Sequence, residues 1–160
     1  MGNAFYESLP KKRMATGAVF QNERSDYLLV KPHYKDYWTL PGGVLESEES
    51  PMSGCKREVT EEIGLNRDGY QLLCVAYLSK EPPKTERVHF IFYGGVLTEQ
   101  ETMRITLQES EIEDCRFFDL SETLERLDEQ MSQRMRFCCE ALKRKEIVYL
   151  EDQRVIEGLG

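Results

Sequence analysis

Residues Gly43–Leu65 read GVLESEESPMSGCKREVTEEIGL, and the second half of this stretch decides the fold. It places three carboxylates, Glu58, Glu61 and Glu62, behind Arg57 and just ahead of Gly64. Residues three and four apart share a helix face, so Glu58 stands beside both Glu61 and Glu62. Like charges so arranged repel one another and weaken an isolated helix. A divalent cation is the usual agent that offsets such repulsion. Mg²⁺ takes oxygen ligands, commonly one or two carboxylates, and completes its shell with water and substrate phosphates.

The ends of this helix are marked. Ser50 is a natural N-cap, and Pro51 suits the first helical position, where a missing N–H costs nothing. Gly64 sits where a left-handed C-terminal cap stops the helix. Upstream, Leu40-Pro41-Gly42-Gly43 is expected as a loop, because paired glycines after proline break both helix and strand. The predicted unit is a glycine loop, a short turn and a helix with an acidic face.

The spacing carries a resemblance. Gly43, five residues, Glu49, seven residues, Arg57-Glu58, Val59, one residue, Glu61-Glu62, one residue and Gly64-Leu65 match the Nudix box at every defined position. The preceding Trp38-Thr39-Leu40-Pro41-Gly42-Gly43 also looks like that family's lead-in. A solvated acidic helix explains most Glu-rich stretches, but not this spacing. The resemblance implies an α/β fold, the Nudix-type α/β/α sandwich with a mixed β-sheet.

Composition sets outer bounds. A chain of 160 residues, 40% hydrophobic and 31% charged, has the length of one ordinary domain with material for a core. The N-terminus shows no apolar run of signal-peptide length, nothing approaches a membrane span, and a cytoplasmic location is expected. Cys55, Cys74, Cys115, Cys138 and Cys139 include no CxxC pair, and with only His33 and His89 beside them they read as buried thiols rather than a zinc site. A formal net charge of −8 argues against a nucleic-acid partner, which needs basic residues to neutralise phosphates. The same charge poses a problem for binding a phosphorylated small molecule, which metal at the acidic helix would solve locally.

In chain order, residues 1–12 read as a loose lead-in, with Lys11-Lys12-Arg13 a solvated basic run. Met14–Phe20 and Asp26–Lys31 read as strands around a polar turn and are expected to pair as a hairpin. Pro32–Tyr37 is a polar, aromatic loop. Trp38 is expected to pack in the core and His33 to face solvent. Gln71–Leu78 and Val88–Leu97 have strand composition. The proline-rich Ser79–Arg87 between them offers Lys80, Lys84 and Arg87 either as phosphate donors or as a solvated hairpin tip. Arg104–Leu107 alternates like a short strand, Gln108–Asp114 forms an acidic loop, and Cys115–Phe118 returns to strand. Asp119–Glu122 fits a capping box opening a helix through Leu127. A final helix spans Glu129–Lys145, with Met131, Met135, Cys138 and Leu142 facing the core. Residues 147–156 read as a terminal hairpin around Glu151-Asp152. No repeat or linker interrupts the chain, so residues 1–160 are read as one domain.

The resemblance also implies roles. Glu58 and Glu62 would be the main metal ligands, Glu61 a third ligand or one acting through water, and the Gly43 carbonyl the backbone ligand. Arg57 would orient the glutamates, and Glu49 would brace the loop through Arg57. The general base would be a box glutamate or a distant-loop glutamate, here Glu111 or Glu109. The cofactor would be Mg²⁺, with Mn²⁺ as an alternative. The implied reaction is hydrolysis of the pyrophosphate linkage of a nucleoside diphosphate joined to another moiety, by water attack at phosphorus. A small nucleotide-type diphosphate is the expected partner, with neither nucleic-acid polymer nor membrane, and family members are often homodimers. The markers of the ADP-ribose and coenzyme A branches are not met, which leaves nucleoside triphosphates, sugar nucleotides and dinucleotides open. A non-catalytic nucleotide-sensing module is the main rival. An isopentenyl diphosphate isomerase would need a catalytic cysteine, and Cys55 reads better as helix packing.

Overall fold

A computed structural model describes residues 2–157. The elements in order are α1 (Asn3–Ser8), β1 (Arg13–Gln21), β2 (Tyr27–Pro32), β3 (Gly42–Val44), α2 (Pro51–Ile63), β4 (Gln71–Leu78), β5 (Arg87–Val96), α3 (Glu99–Met103), β6 (Ile112–Phe118), α4 (Leu120–Arg126), α5 (Glu129–Arg144), β7 (Val148–Glu151) and β8 (Arg154–Val155). Among the described residues the strands form one sheet in the order β6-β2-β1-β5-β4-β7-β8, with β3 also on β1. The β1–β5 and β4–β7 pairs are parallel and the others antiparallel, so the sheet is mixed, as expected.

One core lies on each face of the sheet. Cys55, Val59 and Ile63 of α2 pack with Phe20, Leu28 and Phe92. Met131, Met135 and Cys138 of α5 pack with Leu29, Ile91 and Leu150 on the other side, with Leu142 partly buried beside them. This is the α/β/α sandwich. Trp38 joins the second core, edge-on to Phe118 at 5.0 Å, as expected for a packing residue.

The expected hairpin of β1 and β2 closes only at its turn, where Gln21 pairs with Tyr27. Beyond that the two strands part, and the segment from Thr39 to Leu45 enters between them. Thr39 bridges Val30 of β2, and Gly42–Val44 pairs with Ala15–Gly17 of β1. The glycine pair is therefore a short strand rather than a free loop. The reason is close approach: a Cβ on Gly42, whose φ is +153°, would lie 2.1 Å from the Thr16 carbonyl oxygen. Only glycine can lie so close to β1.

Other differences are local. Asn3–Ser8 of the lead-in is a short exposed helix, while Lys12 pairs with Glu86 at 2.6 Å and Arg13 bonds Thr85, so the basic run ties down the β4–β5 loop. The Arg104–Leu107 segment is not a strand. A capping box at Thr98 and Glu101 opens α3 just before it, and the Thr106 and Gln108 amides donate to the carbonyls of Ile63 and Glu62. Its alternation is real in burial but finds no ladder. Strand β6 starts at Ile112, inside the expected acidic loop, because Lys31 and Pro32 of β2 offer partners there. The C-terminal hairpin turns at Asp152-Gln153, both at positive φ.

Candidate active site

Helix α2 is built as its sequence dictates. The Ser50 hydroxyl accepts the Ser53 amide, Pro51 takes the first turn, and Gly64 ends the helix with φ +69°. These ends fix which residues point back toward β3, and they bring Glu58 and Glu62 against the glycine strand. The Gly42 amide donates to Glu62 Oε1 at 3.1 Å. A Cβ on Gly43 would fall 2.5 Å from Glu58 Oε1, so the missing side chain makes room for that carboxylate.

Glu62 is only 5% exposed. Burial, followed by the charge of Glu58 beside it, pushes its carboxyl up to about 8, against the pull of the Gly42 amide. Two carboxylates are thus crowded together on one face of α2. Glu61 is the more exposed of the three, its side chain 48% exposed, and it is not among the residues that line the cleft described below.

Arg57 binds the group together. Its Nε and Nη2 donate to Glu49 at 2.6 and 2.9 Å in a bidentate pair. Its Nη1 donates to Glu58 at 3.0 Å and Glu61 at 3.1 Å, and Nη2 reaches the Val44 carbonyl at 3.4 Å. The guanidinium holds the Glu49 carboxyl down to about 2. Glu49 also accepts the Glu46 amide, which pins the turn between β3 and α2.

A cleft of about 250 Å³ opens above these groups, with Gly43, Glu58 and Glu62 on one wall and Glu111, Tyr34 and Lys35 on the others. Of the two distant-loop candidates, Glu111 lines the cleft. Glu109 is not among its lining residues, and its carbonyl is held at 2.8 Å by the exposed His33 ring. Lys80 and Lys84 are exposed, whereas Arg87 is partly buried. Cys55 is fully buried against the Gly17 carbonyl, and burial pushes its thiol up to about 11, so it cannot serve as a nucleophile. Lys35 was not legible as a site residue. It sits in a polar loop, and only the fold turns that loop over the cleft.

Among the described residues no three His, Cys, Asp or Glu side chains already form a metal cage. The donor set nonetheless suits a hard cation. Two adjoining carboxylates and a backbone carbonyl are what Mg²⁺ takes from a protein when waters and substrate phosphates complete its shell.

The NUDIX domain family matches residues 11–137, and the chain belongs to that family. Human diphosphoinositol polyphosphate phosphohydrolase 3-alpha is 33% identical over 92 residues, 56% of this chain and 56% of that protein. The chain thus matches about half the length of this curated relative. Among solved structures, the NUDIX domain of Shewanella oneidensis NrtR complexed with ADP ribose has a TM-score of 0.69 at 19% identity, covering 89% of this chain and 99% of that one. A MutT protein from Methanosarcina mazei Go1 has a TM-score of 0.67 at 22% identity, covering 86% and 99%. Identities this low establish the shared fold.

Proposed function

We propose that the chain is a metal-dependent hydrolase that cleaves the pyrophosphate linkage of a nucleoside diphosphate joined to another moiety. The observation that carries this reading is the convergence of Glu58, Glu62 and Gly43 on one cleft that Glu111 also lines. Glu58, Glu62 and the Gly43 carbonyl would hold the metal, Mg²⁺ or alternatively Mn²⁺, with Glu61 a third ligand or one acting through water. When bound, such an ion neutralises phosphoryl charge and lowers the pKa of a coordinated water.

The chain's own groups do the rest. The Gly42 amide fixes one oxygen of Glu62 and so aims the other. Arg57 is a positioning residue: its hydrogen bonds all go to protein carboxylates and a protein carbonyl, which sets the rotamer of Glu58. Glu111 is the proton acceptor for the attacking water, since it faces the metal carboxylates from another element. Because the reaction is displacement at phosphorus, placing charge matters more than covalent chemistry.

The reading is tested by incubating the protein with nucleoside triphosphates, sugar nucleotides, dinucleoside polyphosphates and diphosphoinositol compounds, with Mg²⁺ or with chelator. Metal-dependent release of two phosphate-bearing products is expected. Tight nucleotide binding with no cleavage anywhere would replace the enzyme with a sensing module.

Arg57→Lys tests the positioning role. Lysine keeps the charge but loses the fork that serves Glu49 and Glu58 together. Turnover is expected to fall about 10–100-fold, as for other groups that orient metal ligands. A variant with wild-type kcat would remove Arg57 from the site.

A further inference from the structure

Glu111 stands on a tight turn, residues 108–111, that leads into β6. The Gln108 carbonyl accepts the amides of Glu111 and Ile112 at 2.9 and 2.8 Å, which closes the turn. Glu109, Ser110 and Glu111 are all exposed, so burial of their side chains does not anchor it. Hydrogen bonds from neighbouring segments must set its position instead. One holds its start: the Gln108 amide donates to the Glu62 carbonyl at 3.0 Å, against the last turn of α2.

Two more come from a single residue. Strand β2 ends at Pro32, which pairs with Ile112 across a register shift and has no N–H to give to the ladder. His33 follows, and its amide donates to the Glu111 carbonyl at 3.0 Å. Its ring Nε2 lies 2.8 Å from the Glu109 carbonyl, and because a carbonyl only accepts, Nε2 carries the proton. The backbone and ring of His33 therefore grip both ends of Glu109-Ser110-Glu111. Pro32, Tyr34 and Lys35, on either side of His33, line the cleft together with Glu111 and Ile112, so this one residue joins two of its walls.

Such a tether has work to do. Glu111 shares the cleft with Glu58 and Glu62, and like charges push the turn outward. An exposed turn with no packed side chain also opens readily. We propose that His33 is a positioning residue whose ring holds this turn so that Glu111 stays aimed into the cleft. It acts only through Glu111, so its loss is felt in turnover rather than in substrate affinity or folding. This rests on reading Glu111 as the proton acceptor of a hydrolase.

The test compares the wild type with His33→Phe, which keeps an aromatic ring without a donor, and His33→Gln, which keeps a side-chain N–H. Amide exchange of the protein alone, in chelator, reads the tether directly. Exchange at Glu111 and Ile112 is expected to speed up at least about tenfold in His33→Phe and to stay near wild type in His33→Gln. Unchanged exchange in His33→Phe overturns the tether. On the panel compound that the wild type cleaves fastest, kcat is expected to fall about tenfold or more in His33→Phe, with KM held within about twofold, and to recover largely in His33→Gln. In a Glu111→Gln background the same phenylalanine should cost nothing further. An equal loss in both backgrounds overturns the positioning role. Faster exchange in a protein that cleaves nothing would sink the hydrolase reading and keep the tether. Wild-type turnover in His33→Phe would do the reverse.

Discussion

Glu62→Gln is expected to lower turnover by about 10²–10³-fold, the scale seen when one preorganised electrostatic group is removed from an active site, while leaving the protein at least as stable. The two effects separate because the carboxylate is poorly placed for stability. It is buried beside Glu58, and its charged form is disfavoured there. Glutamine has the same shape, keeps a carbonyl oxygen to accept the Gly42 amide, and removes the repulsion. Melting without metal should therefore be unchanged or higher. With Mg²⁺ the order reverses: the wild type gains stability by linkage, about 2.7 kcal/mol at a hundred times the dissociation constant, and the variant gains less. Near-normal activity, or an equal Mg²⁺-induced rise in melting temperature, would remove Glu62 from the metal site.

How much of this was legible in the sequence differs from element to element. Helix α2 was read to the residue, because Ser50, Pro51 and Gly64 encode its ends locally. Strands β4 and β5 followed from composition. What could not be read was pairing. The neighbour of β1 along its whole length is β5, about seventy residues away and parallel to it, and no local pattern announces such a partner. The glycine pair was recognised as a breaker of regular structure, yet its use here is to let β3 lie against β1.

The candidate site divides in the same way. The carboxylates announced themselves by spacing, whereas Lys35 on the cleft wall did not. Arg134, which is 1% exposed, falls three after Met131 and four before Cys138, squarely on the apolar stripe of α5, and that position was the available signal. Arginine is rarely buried, so composition alone does not place it in a core. Lys35 carried no comparable mark. Arg87 was read as either a phosphate donor or part of a solvated loop tip, and it stands partly buried at the start of β5.

Replacing each of the paired glycines with alanine separates fold from chemistry. At Gly42 the new Cβ would meet the Thr16 carbonyl oxygen at 2.1 Å, the Gly17 Cα at 2.8 Å and the Thr16 carbonyl carbon at 2.9 Å. All three are backbone atoms of the central strand, so the cost cannot be escaped by a rotamer change. Its φ of +153° is also one that alanine rarely adopts. Gly42→Ala is expected to lose about 3 kcal/mol or more, combining overlap with strain. At Gly43 the three atoms nearest the Cβ all belong to the Glu58 carboxylate, with Oε1 at 2.5 Å and Oε2 at 3.1 Å, and that is the far end of a side chain that can swing away. Gly43→Ala should therefore fold, with a loss near 1 kcal/mol or below, but with Glu58 displaced and turnover reduced about 10²-fold, as for an ångström-scale misplacement. Urea melts and initial rates on both variants decide it. A stable Gly42→Ala would mean that β3 can leave β1 without cost, and an active Gly43→Ala would mean that Glu58 acts from some other position.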